Sequence, residues 1–208
     1  MPDLRTARGR RVPRGRREAT KAANRATIVA AARDAFADLG YGAATVRDIV
    51  RRTGLASGTF YNYFPDKEAV LRALVDDAAV EVRQRVRAER VRARTLEEFI
   101  ASGFRAYFEY LAADRATFEL VRRNSGTIRA LFDSPAIGAG VDELAEDLRA
   151  AIVAGVVPEI DAEYAARAMV GAGFEVGAHM LDAVPPDIDG AVAFLTELFL
   201  GGLERLVR

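Results

Sequence analysis

Apolar residues recur along most of this chain at three- and four-residue spacing, which predicts one helix after another. Ile28, Ala32, Ala35, Phe36 and Leu39 place a single buried stripe on a first helix over residues 21–39, stopped at Gly40. After a connection over 41–44, Thr45 stands as N-cap before Val46, Ile49 and Val50, which share one face of a second helix ending near Thr53. Gly54-Leu55-Ala56 makes a tight turn, because glycine takes the positive φ such a turn needs while Leu55 plugs the core between helices. Ser57 is expected to cap a third helix running to Phe64. In it Phe60 and Phe64, four apart, face inward, and Ser57, Gly58, Thr59, Tyr61, Asn62 and Tyr63 are left on the outside. Two tyrosines flanking an asparagine on an exposed helix face favour a contact surface over a merely solvated one.

Pro65 restricts Phe64 and fits the first position of a fourth helix, with Asp66 and Glu68 suiting its N-terminal dipole and Lys67 opposing it. A phosphate at that helix start turns Lys67 and the free amides into assets. The helix continues through Val70, Leu71, Leu74 and Val75 into the charged run 81–94, read as a solvated helix end and loop. Thr95-Leu96-Glu97-Glu98 opens a fifth helix as a capping box. Ile100, Phe104, Tyr107, Phe108 and Leu111 make this fifth helix apolar over most of its girth, so it belongs at the centre of the C-terminal body, beside any cavity. Phe118, Leu120 and Val121 continue the pattern until 122–126 interrupts it; Arg122 and Asn124 there mark either a pocket mouth or a helix end. A further helix over 141–157 closes at Pro158, and Asp161 caps one reaching about Ala183 that is rich in small residues. Its glycines weaken it by about 0.8–1.0 kcal/mol each relative to alanine, which close helix approach offsets. The last helix, 189–207, carries a wide stripe that includes Phe194, Leu198, Phe199 and Leu203.

Composition narrows the function. Across 208 residues there is no cysteine and one histidine, so thiolate metal sites, disulfides and most histidine-rich metal or catalytic clusters are excluded. No metal, cofactor or enzymatic activity is expected, and with no long apolar run or secretory signal the expected location is cytoplasmic, with no membrane contact. The net charge of zero conceals an asymmetry: residues 1–67 carry 14 Lys and Arg against 6 Asp and Glu, and residues 68–208 carry 16 against 24. A cationic end joined to an anionic body suggests binding to nucleic acid. Arginines at 5, 8, 10, 11, 14, 16 and 17 form a basic arm over residues 1–20, expected to be disordered when free and suited to phosphates or a minor groove.

The order Thr45-Val46-Arg47-Asp48-Ile49, then Gly54-Leu55-Ala56-Ser57-Gly58-Thr59-Phe60-Tyr61-Asn62-Tyr63-Phe64, then Asp66-Lys67-Glu68, resembles the DNA-binding domain of the TetR family of transcriptional repressors. The resemblance covers residues 24–70. It implies an all-α protein: a three-helix helix-turn-helix domain, placed at 21–66, followed by a helical ligand-binding and dimerisation domain at 67–208. It further implies a homodimer that binds a palindromic double-stranded operator and answers to a small-molecule effector. Thr45, Tyr63 and Lys67 become phosphate contacts, and Arg47, Gly58, Thr59, Tyr61 and Asn62 candidates for base edges or nearby backbone, with Ser57 at the start of the reading helix. Many family members have histidine where this chain has Asn62. An architectural, ligand-independent DNA binder is the alternative.

For the effector, Phe104, Tyr107, Phe108, Phe118, Arg122, Asn124, Met169, Glu175 and His179 are the candidate pocket residues. Glu175 and His179, four apart, meet on one helix face either as a satisfied buried pair or as ligand contacts. The lining favours a largely apolar molecule, a fatty acyl chain or a planar aromatic.

Overall fold

The structure is a computed structural model that describes residues 14–123 and 135–206. It is all-α among the described residues: α1 (Arg14–Leu39), α2 (Val46–Thr53), α3 (Ser57–Tyr61), α4 (Lys67–Arg90), α5 (Leu96–Ala113), α6 (Arg115–Arg123), α7 (Pro135–Val153), α8 (Ala162–Met180) and α9 (Ile188–Leu206). Two compact units divide inside α4, between Leu71 and Arg72.

In the N-terminal unit the first helix starts at Arg14, seven residues before the expected start at Lys21, so the end of the predicted arm is helical. Arginine, glutamate, alanine and lysine are good helix formers, and they extend a helix whose buried half, from Ile28 to Phe36, is already held by packing. The arm residues 1–13 lie outside the described residues. Gly40 (φ 76°) and Gly54 (φ 67°) end α1 and α2 in the left-handed conformation that a side chain disfavours. Ile28, Phe36, Ile49, Phe60, Val70 and Leu71 are buried to 2% exposure or less and make this unit's core.

The C-terminal unit is built around α5, as its apolar girth predicts. Ile100, Phe104, Phe108 and Leu111 are buried in one cluster with Leu144 and Leu148 of α7, Ala166 and Met169 of α8, and Leu195 and Leu203 of α9. Two glycines of α8 explain how α5 comes so close. A β-carbon at Gly177 meets Leu111 Cδ1 at 2.7 Å and Phe108 Cε1 at 3.2 Å, and one at Gly173 meets Phe104 Cε1 at 3.2 Å. The helix-weakening cost of these residues is therefore offset by aromatic packing. Gly177→Val is expected to destabilise the unit by about 1–3 kcal/mol, measured by urea unfolding, because Leu111 and Phe108 must leave their rotamers. Gly171→Ala, where nothing lies within 4 Å of the added carbon, is expected to spare the protomer.

Of the charged run 81–94, only 91–94 form a loop. The run stays helical to Arg90, which is buried. Pro65 lies outside α4, and Asp66 caps it by accepting from the Ala69 N–H at 2.7 Å. The helix expected from Val141 begins earlier, at Pro135, and Gly155 (φ 73°) follows its end at Val153.

Candidate functional site

The α2–turn–α3 region is organised from its caps outward. The Thr45 hydroxyl donates to Asp48 Oδ2 at 2.5 Å and accepts from the Asp48 N–H at 3.3 Å. Asp48 Oδ2 also accepts from the Thr45 N–H at 3.0 Å, which completes a capping box. These bonds from Thr45 hold the Asp48 carboxyl below its usual range. Their contribution to the fold is complete above the ordinary carboxylate pKa and is lost as pH falls through the depressed value. The expected phosphate contact at Thr45 therefore meets a helix start whose hydroxyl proton is committed and which already carries a carboxylate.

Ser57 is the first helical residue of α3 rather than its cap; Ala56 is the N-cap and has no side-chain hydrogen bond. The helix is also shorter than expected. It stops at Tyr61, and Asn62, Tyr63 and Phe64 turn back through N–H bonds to the Thr59 and Phe60 carbonyls. Phe60 and Phe64 are buried, 6.1 Å apart between ring centroids. On the outside, Ser57, Gly58, Tyr61 and Asn62 are exposed together, and Thr59 and Tyr63 are half-buried. Tyr61 is 59% exposed, a large aromatic offered to solvent from a short helix. Arg47, in the first turn of α2, is also exposed and makes no ion pair among the described residues, whereas Arg52 is held by Asp38 at 2.7 Å. Nothing lies within 4 Å of a β-carbon built at Gly58, so the protein itself does not require glycine there.

Lys67, expected at a phosphate, meets backbone carbonyls within the protein. Its ammonium donates to the carbonyls of Tyr41 at 2.8 Å, Gly42 at 3.2 Å and Ala44 at 3.0 Å. It also lies 4.7 Å from the centroid of the Tyr41 ring. An ammonium has three N–H bonds. All three are directed to the loop between α1 and α2, so the residue pins that loop and has no proton left for a phosphate.

Within the C-terminal unit a cavity of about 940 Å³ runs beside α5. Its wall follows that helix from Phe99 to Asp114, a length of about 22 Å at 1.5 Å per residue. Phe104, Tyr107, Phe118, Met169 and Glu175 of the expected set line it. Burial pushes the Tyr107 phenol up, with Tyr110 adding to the shift, so this hydroxyl stays neutral. Phe108 is fully buried behind the wall, against Gly177. Arg122 does not line the cavity; it is paired with Glu119 at 3.0 Å on its own helix. Asn124 lies outside the described residues. The expected buried pairing of Glu175 with His179 is corrected: both are exposed, and the His179 side chain, 92% exposed, has Asp182 4.0 Å away instead.

Residues 28–74 match the family model of bacterial regulatory proteins of the tetR family. A helix-turn-helix transcriptional regulator of Haemophilus influenzae is 31% identical over 125 residues, which are 59% of this chain and 61% of that protein. The fatty acid degradation regulator FadR of Bacillus halodurans is 28% identical and superposes with a TM-score of 0.74 over 86% of this chain and 96% of its own. The matched helix-turn-helix segment is that of the TetR family of regulators. FadR of Bacillus subtilis, solved with stearoyl-CoA, shares the fold at 23% identity, TM-score 0.67, over 83% of this chain and 95% of its own. The chain spans about three fifths of the length of the Haemophilus relative, 61%.

Part of the cavity wall was missed from sequence. Val75, Ala79, Val82, Val86 and Arg90 of α4 line it at three- and four-residue spacing, a stripe that continues through the charged run. Arg90 donates to Asp147 Oδ2 at 2.8 Å, with Arg87 Nε 3.8 Å from the same carboxylate and Arg83 Nε 3.8 Å from Glu143. Burial pulls the Arg90 guanidinium below its usual range and Asp147 opposes that shift, so it stays charged. Thr117, also on the wall, is buried with its hydroxyl unpartnered among the described residues.

The outer faces of α8 and α9 are unusually apolar. Tyr164, Phe194 and Leu198 are 76%, 60% and 52% exposed. On the same two helices Gly171, which also borders the cavity, Gly201 and Gly202 are exposed and have nothing within 4 Å of an added β-carbon. Among the described residues no group of acids and histidine is arranged to hold a metal, and no helix is long and apolar enough to cross a membrane.

Proposed function

We propose that this chain is a TetR-family regulator that binds a palindromic operator as a homodimer and responds to a long, largely apolar effector held beside α5. The observation that carries the DNA-binding part is the joint exposure of Ser57, Gly58, Tyr61 and Asn62 on α3 and the turn after it, with Arg47 exposed on α2. Small residues at the start of a recognition helix let its backbone approach base edges, and exposed tyrosine and asparagine supply hydrogen bonds and apolar contact there. Thr59 and Tyr63, half-buried, support the backbone and phosphate side of the same surface. A dimer places its two recognition helices about 34–36 Å apart to meet successive major grooves.

Gly58 gives the clearest test. Gly58→Ala adds a methyl group where the protein has room and replaces a poor helix former, so stability is expected to hold or rise by up to about 1 kcal/mol. Operator affinity in a gel-shift titration is expected to fall about tenfold or more, the size of one lost base contact, with affinity for random DNA little changed. Tyr61→Ala is expected to show the same preference for harming operator binding. Equal losses on operator and random DNA in both variants remove α3 as the reading element.

For the effector, the length of the cavity along α5 and its aromatic and aliphatic wall favour an extended chain over a planar aromatic ring. The likeness to a fatty acid degradation regulator supports the same choice. A ligand that binds better to one arrangement of the dimer shifts the spacing of the recognition helices and so the affinity for the operator. The apolar outer faces of α8 and α9 support the dimer. Exposed glycines inside helices weaken each helix without serving any neighbour in the protomer, and a second copy at close approach gives them a use.

A further inference from the structure

We infer that Arg90 receives the carboxylate head of an amphipathic chain whose tail lies along α5. This rests on the reading that the cavity holds an apolar chain, and it assigns which end of the chain goes where. The Arg90 side chain is only 8% exposed and lines the cavity. Its Nε–H has no hydrogen-bond partner among the described residues, although another of its nitrogens serves Asp147. A buried donor left unmade is costly, and a guanidinium presents its donors as a fork that matches a carboxylate.

The position along the cavity is defined by its neighbours. The Arg90 guanidinium carbon is 5.8 Å from the Phe99 ring centroid, and its Cγ and Cδ are 3.4 Å from a β-carbon built at Gly103. It therefore sits beside the first turns of α5. The acidic residues of the wall are elsewhere: Asp114 follows Gly103 by about 16 Å of helix, and Glu175 adjoins Phe174, whose ring is 5.4 Å from Phe118. Arg83, the other arginine of the wall, has Glu143 3.8 Å from its Nε, so the cation beside the first turns of α5 is Arg90, and the acids of the wall lie farther along. An anionic head is drawn to Arg90 and repelled from the far end, which orients the chain with its tail toward Leu111 and Phe118. Asp147 does not forbid this, because Arg87 stands 3.8 Å from the same carboxylate and continues to offset it when Arg90 is shared.

The test compares three probes of equal chain length, palmitate, 1-hexadecanol and palmitoyl-CoA, by displacement of an apolar fluorophore from the full-length protein. Wild type is expected to bind palmitate about tenfold or more tighter than the uncharged alcohol, the size of one charge-assisted hydrogen bond. Arg90→Gln alone leaves Asp147 short of a partner, so Arg90→Gln/Asp147→Asn is the variant to use, with its thermal midpoint checked against wild type. It is expected to lose the preference for palmitate while keeping its affinity for the alcohol, and Arg90→Lys is expected to restore part of that preference. A preference for palmitate that survives in the double variant overturns the assignment. So does palmitoyl-CoA binding tighter than palmitate by the same factor in both proteins, which places the head outside. If all three probes bind alike, only the assignment of Arg90 falls; if none binds, the apolar-chain reading of the cavity falls with it.

Discussion

Lys67→Met is expected to lower the stability of the N-terminal unit by about 3 kcal/mol and to abolish DNA binding near the temperature at which the loop between α1 and α2 comes loose. Three carbonyls lose a charged donor at once, and each such bond contributes about 1.5–3 kcal/mol, not additively. Methionine keeps the apolar stem, so the loss isolates the ammonium. Two measurements separate this role from phosphate contact. Thermal unfolding followed at Tyr41 or by circular dichroism is expected to shift. At low temperature, where the variant is still folded, the slope of log affinity against log salt is expected to match wild type. A slope reduced by about one with unchanged stability returns Lys67 to the phosphate backbone.

The second large effect concerns assembly. Phe194→Asp/Leu198→Asp places two carboxylates on the apolar outer face of α9. Neither residue is buried in the protomer, so its fold is expected to survive with circular dichroism unchanged. Burying an unpaired charge at the centre of a helix–helix interface costs about 2 kcal/mol or more per site, and the dimer dissociation constant is expected to rise at least about 100-fold. Sedimentation at micromolar concentration is expected to report a monomer. Operator affinity is expected to collapse toward that of a single half-site, because the second recognition helix is no longer delivered with the first. A stable dimer in this variant moves the interface off α9.

The helix-turn-helix was legible in the chain because its signals are local. Gly54 at a left-handed position, the Phe60 and Phe64 spacing, and Thr45 before an apolar face each state a rule of short-range geometry. Lys67 was not, because its partners are carbonyls more than twenty residues earlier, and backbone acceptors leave no mark in a side-chain pattern. The same limit applies to Ser57, where a good capping residue lies one position inside the helix that it was expected to start. In the C-terminal unit, the central role of α5 followed from its apolar girth. Arg90 was read as solvent-facing because arginine in a charged run usually is, although Val75, Ala79, Val82 and Val86 point to its face. The Glu175 and His179 reading failed for the opposite reason. An apolar sequence neighbourhood suggested burial, but both side chains are exposed, Glu175 at the cavity wall and His179 to solvent.

Gly171, Gly201 and Gly202 each forgo about 0.8–1.0 kcal/mol of helix stability that alanine offers, and each sits in open space on a protomer. With those faces joined across two copies, the subunit's resistance to heat becomes a function of how much of it is present. Dilution is then expected to lower the melting temperature, and a Gly171→Ala/Gly201→Ala protein to melt higher than wild type when dilute yet lower when concentrated. Such a regulator is longest-lived where it is abundant enough to find its own copy.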